Sequence, residues 1–240
     1  MARTAEFLKA HPKCCFCGGQ TPATEIDHQP AKIIFPDKHR PKGLEFPACS
    51  RCNRQTSGGE ALLAFICRFA GSRRENARKD FHRLKDIVST IEHSFPGLLA
   101  RMNRPKLWVR ERSLYVRSGA IDVNQSEVNL ALCRIAAKLS LAIYYSLQER
   151  SAATSCQIKT QWTHCQNSDT VQGVKSIIAA SPQQAFLRMG QWHTDDTFFI
   201  RYYFENGRLF VAAIFHESVA LLLSSVSPTS RSRMSPGRSS

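Results

Sequence analysis

Two short stretches decide how the N-terminal segment folds: Cys14-Cys15-Phe16-Cys17 and Cys49-Ser50-Arg51-Cys52. Each stretch brings two thiols onto one tight turn. Two such turns supply four thiolates, which is the ligand set of a closed tetrahedral zinc site. The spacing predicts Cys14, Cys17, Cys49 and Cys52 as ligands of a structural zinc ion. Cys15 is left out because it lies too close to Cys17 for the usual ligand spacing.

The composition favours a folded protein with reduced thiols. The 240 residues are 42% hydrophobic and 22% charged, which predicts one or two domains with a buried core. His216 and Glu217 interrupt the most apolar stretch, Leu209–Val226, so no membrane span is expected. The N-terminus lacks the apolar segment of a signal peptide, and nine cysteines is an odd number. We therefore expect metal ligands or free thiols in a cytoplasmic protein, not a disulfide framework.

Basic residues are concentrated in the first half of the chain. The formal net charge is +14, and residues 1–120 carry 22 basic against 11 acidic side chains. Residues 121–240 carry 11 basic and 8 acidic side chains. A basic N-terminal half is the electrostatic footprint expected for a partner rich in phosphate, such as nucleic acid. The alternative is that the excess charge only aids solubility.

Composition and hydrophobic period divide the chain into four segments of an α+β protein. Residues 1–57 are loop-rich and predict a module too small to be stable without a zinc staple. Residues 58–105 predict a helical connector, and residues 106–226 predict an α+β domain of unknown role. Residues 227–240 are rich in Ser, Arg and Pro and predict a disordered tail.

Within these segments the period of the apolar residues predicts individual elements. An Asn206-Gly207 pair between two β-rich runs is the strongest signal, because this dipeptide favours a two-residue hairpin turn. The predicted elements are helices at Leu62–Phe69, Arg74–Glu92, Gln125–Arg150 and Val171–Ala180, a hairpin of Leu107–Val109 with Leu114–Val116, a strand at Ile158–Thr163, a hairpin of Phe198–Phe204 with Leu209–Phe215, and a further strand at Val219–Val226.

A third motif lies between the two cysteine pairs. It is Glu25-Ile26-Asp27-His28-Gln29-Pro30, and Asn53 directly follows the second pair. With CxxC, Asp-His-x-Pro and CxxC-Asn in this order, residues 11–60 resemble the HNH endonucleases, the zinc-braced branch of the ββα-metal finger nucleases. Residues 40–49 look like a subgroup of bacterial and phage proteins of this kind. The resemblance implies a zinc-stapled ββα-metal (HNH) finger, followed here by helices and a C-terminal α+β domain.

The same residues suit phosphodiester hydrolysis, which requires a base, a water and a cation. The pKa of histidine is near neutral, so His28 suits the base, while Asp27 and Asn53 offer hard oxygens to Mg²⁺ or Mn²⁺. The resemblance implies these roles: Asp27 and Asn53 as catalytic metal ligands and His28 as general base. The structural alternative is that Asp27 and Asn53 cap turns and His28 orients a loop.

One departure from the family concerns the asparagine that normally precedes the second CxxC and holds the base in place. The chain has Leu44-Glu45-Phe46-Pro47-Ala48 there, without an asparagine. Glu45 could substitute as an acceptor, bind the metal, or do neither. The departure affects how the base is held and not the finger fold, so a finger that only binds is the alternative.

Basic side chains crowd the same segment and could neutralise backbone phosphates. The expected nucleic-acid contacts are Lys32, Lys38, Arg40, Lys42, Arg51 and Arg54. Six aromatic residues beyond residue 105 could stack on bases but are expected to be buried in the core or half-buried: Trp108, Tyr115, Trp162, Trp192, Tyr202 and Tyr203.

Two functional hypotheses follow. The first is a metal-dependent HNH-type endonuclease that hydrolyses DNA. The second is a catalytically inactive, zinc-stabilised nucleic-acid-binding module, coupled to a domain at 106–226 that contacts a protein partner or a second copy of the chain. A third idea, an active site within residues 106–226, has no motif to support it.

Overall fold

The computed structural model of the chain describes residues 2–35, 44–70, 81–111, 114–164, 198–216 and 218–226. Helices and antiparallel sheets are both present, which confirms the α+β class. Some expectations fall outside the described residues: the contacts at Lys38, Arg40 and Lys42, the ring of Trp192, the helix at 171–180 and the tail at 227–240.

The N-terminal segment contains a strand–strand–helix unit. After helix α1 (Ala2–Ala10), strands β1 (Glu25–His28) and β2 (Glu45–Ala48) pair antiparallel, and helix α2 (Ser50–Arg54) follows. The chain leaves β1 through a short 3-10 turn that places Ile34 and Phe35 in the main core. The unit is therefore anchored on the rest of the molecule by its own apolar residues.

Within the described residues, the body of the molecule is formed by four helices packed with a four-stranded sheet. Its elements are α3 (Ser57–Ala70), α4 (Phe81–Ser94), α5 (Leu98–Met102), α6 (Ser126–Gln148), β5 (Gln157–His164), β6 (Phe198–Glu205), β7 (Arg208–Phe215) and β8 (Val219–Val226). The sheet order is β5-β8-β7-β6, and every neighbouring pair is antiparallel.

Helix α6 is the centre of the body. Its apolar stripe, including Val128, Leu132, Ile135, Leu139 and Ile143, is buried against α3 and the sheet, as the helical period predicts. By length and composition alone α6 could cross a membrane, but 56% of that apolar window is buried inside the protein. The core therefore accounts for the hydrophobicity of α6.

Most of the elements predicted in the described residues are confirmed. Asn206 and Gly207 have φ angles of 49° and 74°, the left-handed values of a type I′ turn, and they join β6 to β7. The strand at Ile158–Thr163 and the strand at Val219–Val226 are also present, and they pair with each other. Helix α4 is described from Phe81 onward, so residues 74–80 of that prediction lie outside the description.

The predicted hairpin near residue 110 is present, and it is longer than predicted. Strands β3 (Asn103–Glu111) and β4 (Leu114–Ile121) pair antiparallel and form a two-stranded sheet of their own, which we call the ribbon. The expectation that Trp108 and Tyr115 are buried or half-buried is wrong, because each is 67% exposed. These two rings lie on a sheet separate from the four-stranded sheet of the body and remain in contact with solvent.

Candidate metal centre

The four predicted ligand cysteines converge on one point. The Sγ atoms of Cys14, Cys17, Cys49 and Cys52 all lie within 4.8 Å of one another. Tetrahedral zinc–thiolate bonds of about 2.3 Å imply sulfur–sulfur distances of about 3.8 Å, so this cluster fits a zinc ion. We call residues 11–56 the zinc unit. Cys15 is not part of the cluster and instead packs with Leu44, Phe46 and Ala142, which agrees with its exclusion.

Backbone hydrogen bonds build the first cysteine turn. Gly18 and Gly19 have φ angles of 67° and 76°, and the Gly19 N–H donates to the Cys14 carbonyl at 3.0 Å. The Cys15 N–H donates to the Pro47 carbonyl at 2.9 Å and so ties this turn to β2. The second cysteine turn follows β2 directly, at the start of α2. The two turns are therefore brought together by their backbone connections to β2.

Burial raises the pKa of the Cys14 thiol and of the Cys52 thiol above the ordinary value. Zinc binds the thiolate form, so a zinc ion must displace these protons. We therefore expect zinc affinity to fall as the pH is lowered.

Asp27, a predicted catalytic ligand, lies in a buried ion pair. Its side chain is 7% exposed, and its Oδ2 lies 2.6 Å from the Nζ of Lys138, which is 6% exposed. Gln29 also donates to both carboxylate oxygens, at 3.2 and 3.3 Å. Lys138 comes from the middle of α6, so the body of the molecule supplies the cation that neutralises Asp27.

Lys138 has further partners around its ammonium. It donates to Thr56 Oγ1 at 2.8 Å and to the Asn53 carbonyl at 3.3 Å, and it lies 3.7 Å from Glu60 Oε1. Its Nζ also lies 5.2 Å from the ring centroid of Phe16 in the first cysteine turn. The pKa of Glu60 is raised by burial, although the Lys138 charge opposes the shift. The Lys138 ammonium is thus the cation nearest to two buried carboxyl groups, those of Asp27 and Glu60.

Asn53 is held by a different carboxylate. Its Nδ2 donates to Glu25 Oε2 at 2.5 Å, while Ser50 donates to Glu25 Oε1 at 2.6 Å and Arg54 lies 3.7 Å from that oxygen. The hydrogen bonds from Asn53 and Ser50 lower the pKa of Glu25. Glu25 thus ties β1 to α2, a role that the sequence analysis did not assign to it.

His28 occupies the other face of the hairpin. Side chains alternate along a strand, so His28 and Asp27 point to opposite faces of β1. The pairing register places His28 directly opposite Glu45. Glu45 lies in the stretch before the second cysteine pair, where the resemblance led us to expect an asparagine. Directly opposite residues share a face, with Cβ atoms about 5 Å apart. Glu45 is therefore positioned beside the imidazole.

In the described arrangement a divalent ion could bind Asp27 only if the Lys138 ammonium withdrew from it. Mg²⁺ and Mn²⁺ require oxygen ligands together with room for several bound waters. The Asp27 carboxylate is buried on an ammonium, the Asn53 amide nitrogen faces Glu25, and His28 lies on the opposite strand face. The sequence signal for the buried ion pair with Asp27 was Lys138 itself, because this lysine lies within the apolar stripe of a predicted helix.

The described basic residues of the zinc unit are open to solvent. Lys32, Arg51 and Arg54 are all exposed, the latter two on α2. Arg54 keeps 78% of its side-chain surface accessible despite its contact with Glu25. These three side chains can reach a ligand that approaches from solvent.

Comparisons with known proteins add no relative. No family model matches the chain, and no curated protein or solved structure shows significant similarity to it.

Proposed function

We propose that this chain binds nucleic acid, and most favourably DNA, through a zinc-stabilised strand–strand–helix unit that is catalytically inactive as folded. The observation that carries the proposal is the buried ion pair between Asp27 and Lys138. It gives the central residue of the HNH-type motif a structural partner in place of a metal ion.

The energetics of this pair support a structural role. Removing one partner of a buried ion pair leaves an uncompensated charge, which typically costs about 3–5 kcal/mol. A divalent ion would have to displace Lys138, which also donates to Thr56 and Asn53. It would also have to lose most of its hydration at a carboxylate that is almost fully buried. Both requirements disfavour metal binding at Asp27 in this arrangement.

The charge distribution supports nucleic acid as the partner. Lys32, Arg51 and Arg54 are exposed on a unit that lies within the basic half of the chain. Contacts between such side chains and phosphates provide affinity without sequence information.

The HNH endonuclease remains a second candidate, and a specific observation favours it. The chain has the order strand, strand, helix, with Asp27-His28 at the end of β1 and Asn53 on α2. Hydrolysis by this unit requires Lys138 to withdraw from Asp27. The His28 imidazole, with Glu45 opposite it, would then hold and move the proton of the attacking water.

One pair of assays separates the two candidates. Supercoiled plasmid is incubated with the protein and Mg²⁺ or Mn²⁺, with and without EDTA, and duplex binding is measured over a range of salt concentrations. We expect no metal-dependent cleavage, together with an affinity that falls steeply with salt. The double variant Arg51→Ala/Arg54→Ala should weaken duplex binding. Arg208→Ala, an exposed arginine at the start of β7, should not weaken it.

The same assays can overturn the proposal. If wild type cleaves the plasmid and His28→Ala does not, the endonuclease replaces the binding module. If wild type binds no duplex even at low salt, the nucleic-acid assignment is wrong for both candidates.

A further inference from the structure

The ribbon presents large aromatic side chains to solvent. Trp108 on β3 and Tyr115 on β4 are each 67% exposed, and Leu107 is 56% exposed. The hairpin β6–β7 is a contrast within the same molecule, because it buries Leu209, Val211 and Phe215 in the core. Exposed aromatic groups of this size typically mark an interaction surface.

The pairing register places these rings on one face together with Arg117. Trp108 is directly opposite Arg117, and Tyr115 is directly opposite the backbone position of Arg110. Residues two apart on a strand share a face, so all four positions belong to one face, with the aromatic positions on one diagonal. The Arg117 guanidinium lies 5.9 Å from the centroid of the Trp108 ring.

The ribbon is also strongly basic. Residues 103–121 contain five basic residues and one acidic residue, a net charge of +4. Lys106 and Arg117 are exposed, while Arg104 is paired with Asp122 at the base of the ribbon. The Asp122 N–H donates to the Met102 carbonyl at 2.7 Å, so the base is fixed to the end of α5. Trp108 and Tyr115 lie farther from this base, and both are exposed.

We infer that this face of the ribbon binds single-stranded nucleic acid. Unpaired bases stack on Trp108 and Tyr115, while Arg117 on the same face and Lys106, in the irregular stretch between Arg104 and Leu107, contact backbone phosphates. The inference rests on the proposed function, because it adds a second surface for the same class of partner. It differs from that function in the form of nucleic acid and in the residues that bind it.

Single strands fit this surface better than a duplex or a protein does. Aromatic rings on a basic surface are the usual platform for unstacked bases, and every base offers a π-face to them. In a duplex the base faces are covered by their neighbours, so exposed rings gain little. A protein partner would need an apolar surface that also carries dense negative charge, whereas a single strand has both properties along its whole length.

The test compares affinities for a fluorescein-labelled oligo(dT) strand and for a mixed-sequence duplex. We expect Trp108→Ala and Tyr115→Ala each to weaken binding of the single strand about tenfold. Trp108→Phe, which keeps a ring, should retain most of the affinity. Tyr203→Ala is the matched control, because Tyr203 is an exposed tyrosine on β6, 41% accessible. It should leave the affinity unchanged. Zinc content and the unfolding midpoint are measured for every variant to confirm that it folds.

Different results identify which proposal fails. If the ring variants bind the strand as wild type does, while Arg51→Ala/Arg54→Ala weakens duplex binding, the ribbon inference is wrong and the proposed function stands. If the ring variants lose the strand and the arginine variant changes nothing, the zinc unit is not the binding surface. If wild type self-associates and Trp108→Ala abolishes that association without changing strand affinity, the face is a protein contact and the inference is overturned.

Discussion

The zinc unit and the body of the same chain are stabilised by different interactions. The body buries α6 between α3 and a four-stranded sheet, and its core is a continuous cluster of aliphatic and aromatic residues. The zinc unit has short strands, a separate small cluster around Leu44 and Phe46, and four converging thiols. The difference teaches that a small unit with little apolar burial can depend on a candidate metal site and on a buried ion pair with the body.

The largest effect is expected from removing a zinc ligand. Structural zinc sites contribute about 10–16 kcal/mol of binding free energy to folding, so Cys49→Ser should abolish zinc binding and loosen residues 1–57. The helices beyond Gly58 should persist, because their stability comes from the body core. Elemental analysis should fall from one zinc per chain to none, and hydrogen exchange should accelerate in the zinc unit alone. If zinc-free wild type shows full protection of the zinc unit from hydrogen exchange, the zinc unit does not depend on zinc for its stability.

The next effect is expected where the two regions meet. Lys138→Met keeps the length of the side chain and removes its charge, leaving Asp27 buried without a cation. We expect the free energy of unfolding to fall by about 3–5 kcal/mol in denaturant titrations. The double variant Lys138→Met/Asp27→Asn should recover part of this loss, because the charge of Asp27 is then removed while Glu60 still lacks its cation. Equal losses in the single and double variants would show that the pair contributes no specific interaction.

The neighbouring residue on α6 tests the body by itself. Leu139 is fully buried in the main core, so Leu139→Ala should lower the free energy of unfolding by about 2–5 kcal/mol. The variant should still bind one zinc ion, because no zinc ligand is removed. Loss of zinc from folded Leu139→Ala protein would show that the zinc site depends on the body core more than we propose.

The smallest effect concerns pH. The folded-state pKa of Glu60 is raised by burial above its ordinary value near 4.5, so folded protein keeps this proton to a higher pH than unfolded protein does. The contribution of Glu60 to stability is therefore present at low pH, and it is lost as the pH rises through the raised pKa. In urea titrations from pH 4.5 upward, the free energy of unfolding of wild type should decline as Glu60 loses its proton. Glu60→Gln should remove this decline. Parallel pH profiles for wild type and variant would argue against it.

Local patterns in the sequence predicted much of the fold. The helical period of α6 and the Asn206-Gly207 turn are properties of neighbouring residues, and the structure confirms both. The four zinc-ligand candidates were also predictable, because each cysteine pair is local and the metal geometry requires two pairs.

Contacts between distant segments could not be predicted in the same way. Nothing near Asp27 in the sequence indicates that Lys138 will be its partner. Strand alternation places Asp27 and His28 on opposite faces of β1, but it does not show which of the two residues is buried. The exposure of Trp108 was missed for a similar reason, because the pattern of a strand does not reveal whether a second layer covers it.

The start of α3 has an evolutionary consequence. A methyl group added to Gly58 would lie 2.4 Å from the Ser94 side chain at the end of α4, and one added to Gly59 would lie 3.3 Å from Ala131 on α6. The segment that connects the zinc unit to the body therefore packs so closely against α4 and α6 that a side chain at Gly58 would clash and one at Gly59 would be crowded. In homologous chains that keep this packing, positions 58 and 94 should stay small together, and enlargement of one should be tolerated only when the helices separate. Paired substitutions at positions 58 and 94 would then indicate that the spacing between the start of α3 and the end of α4 has changed during evolution.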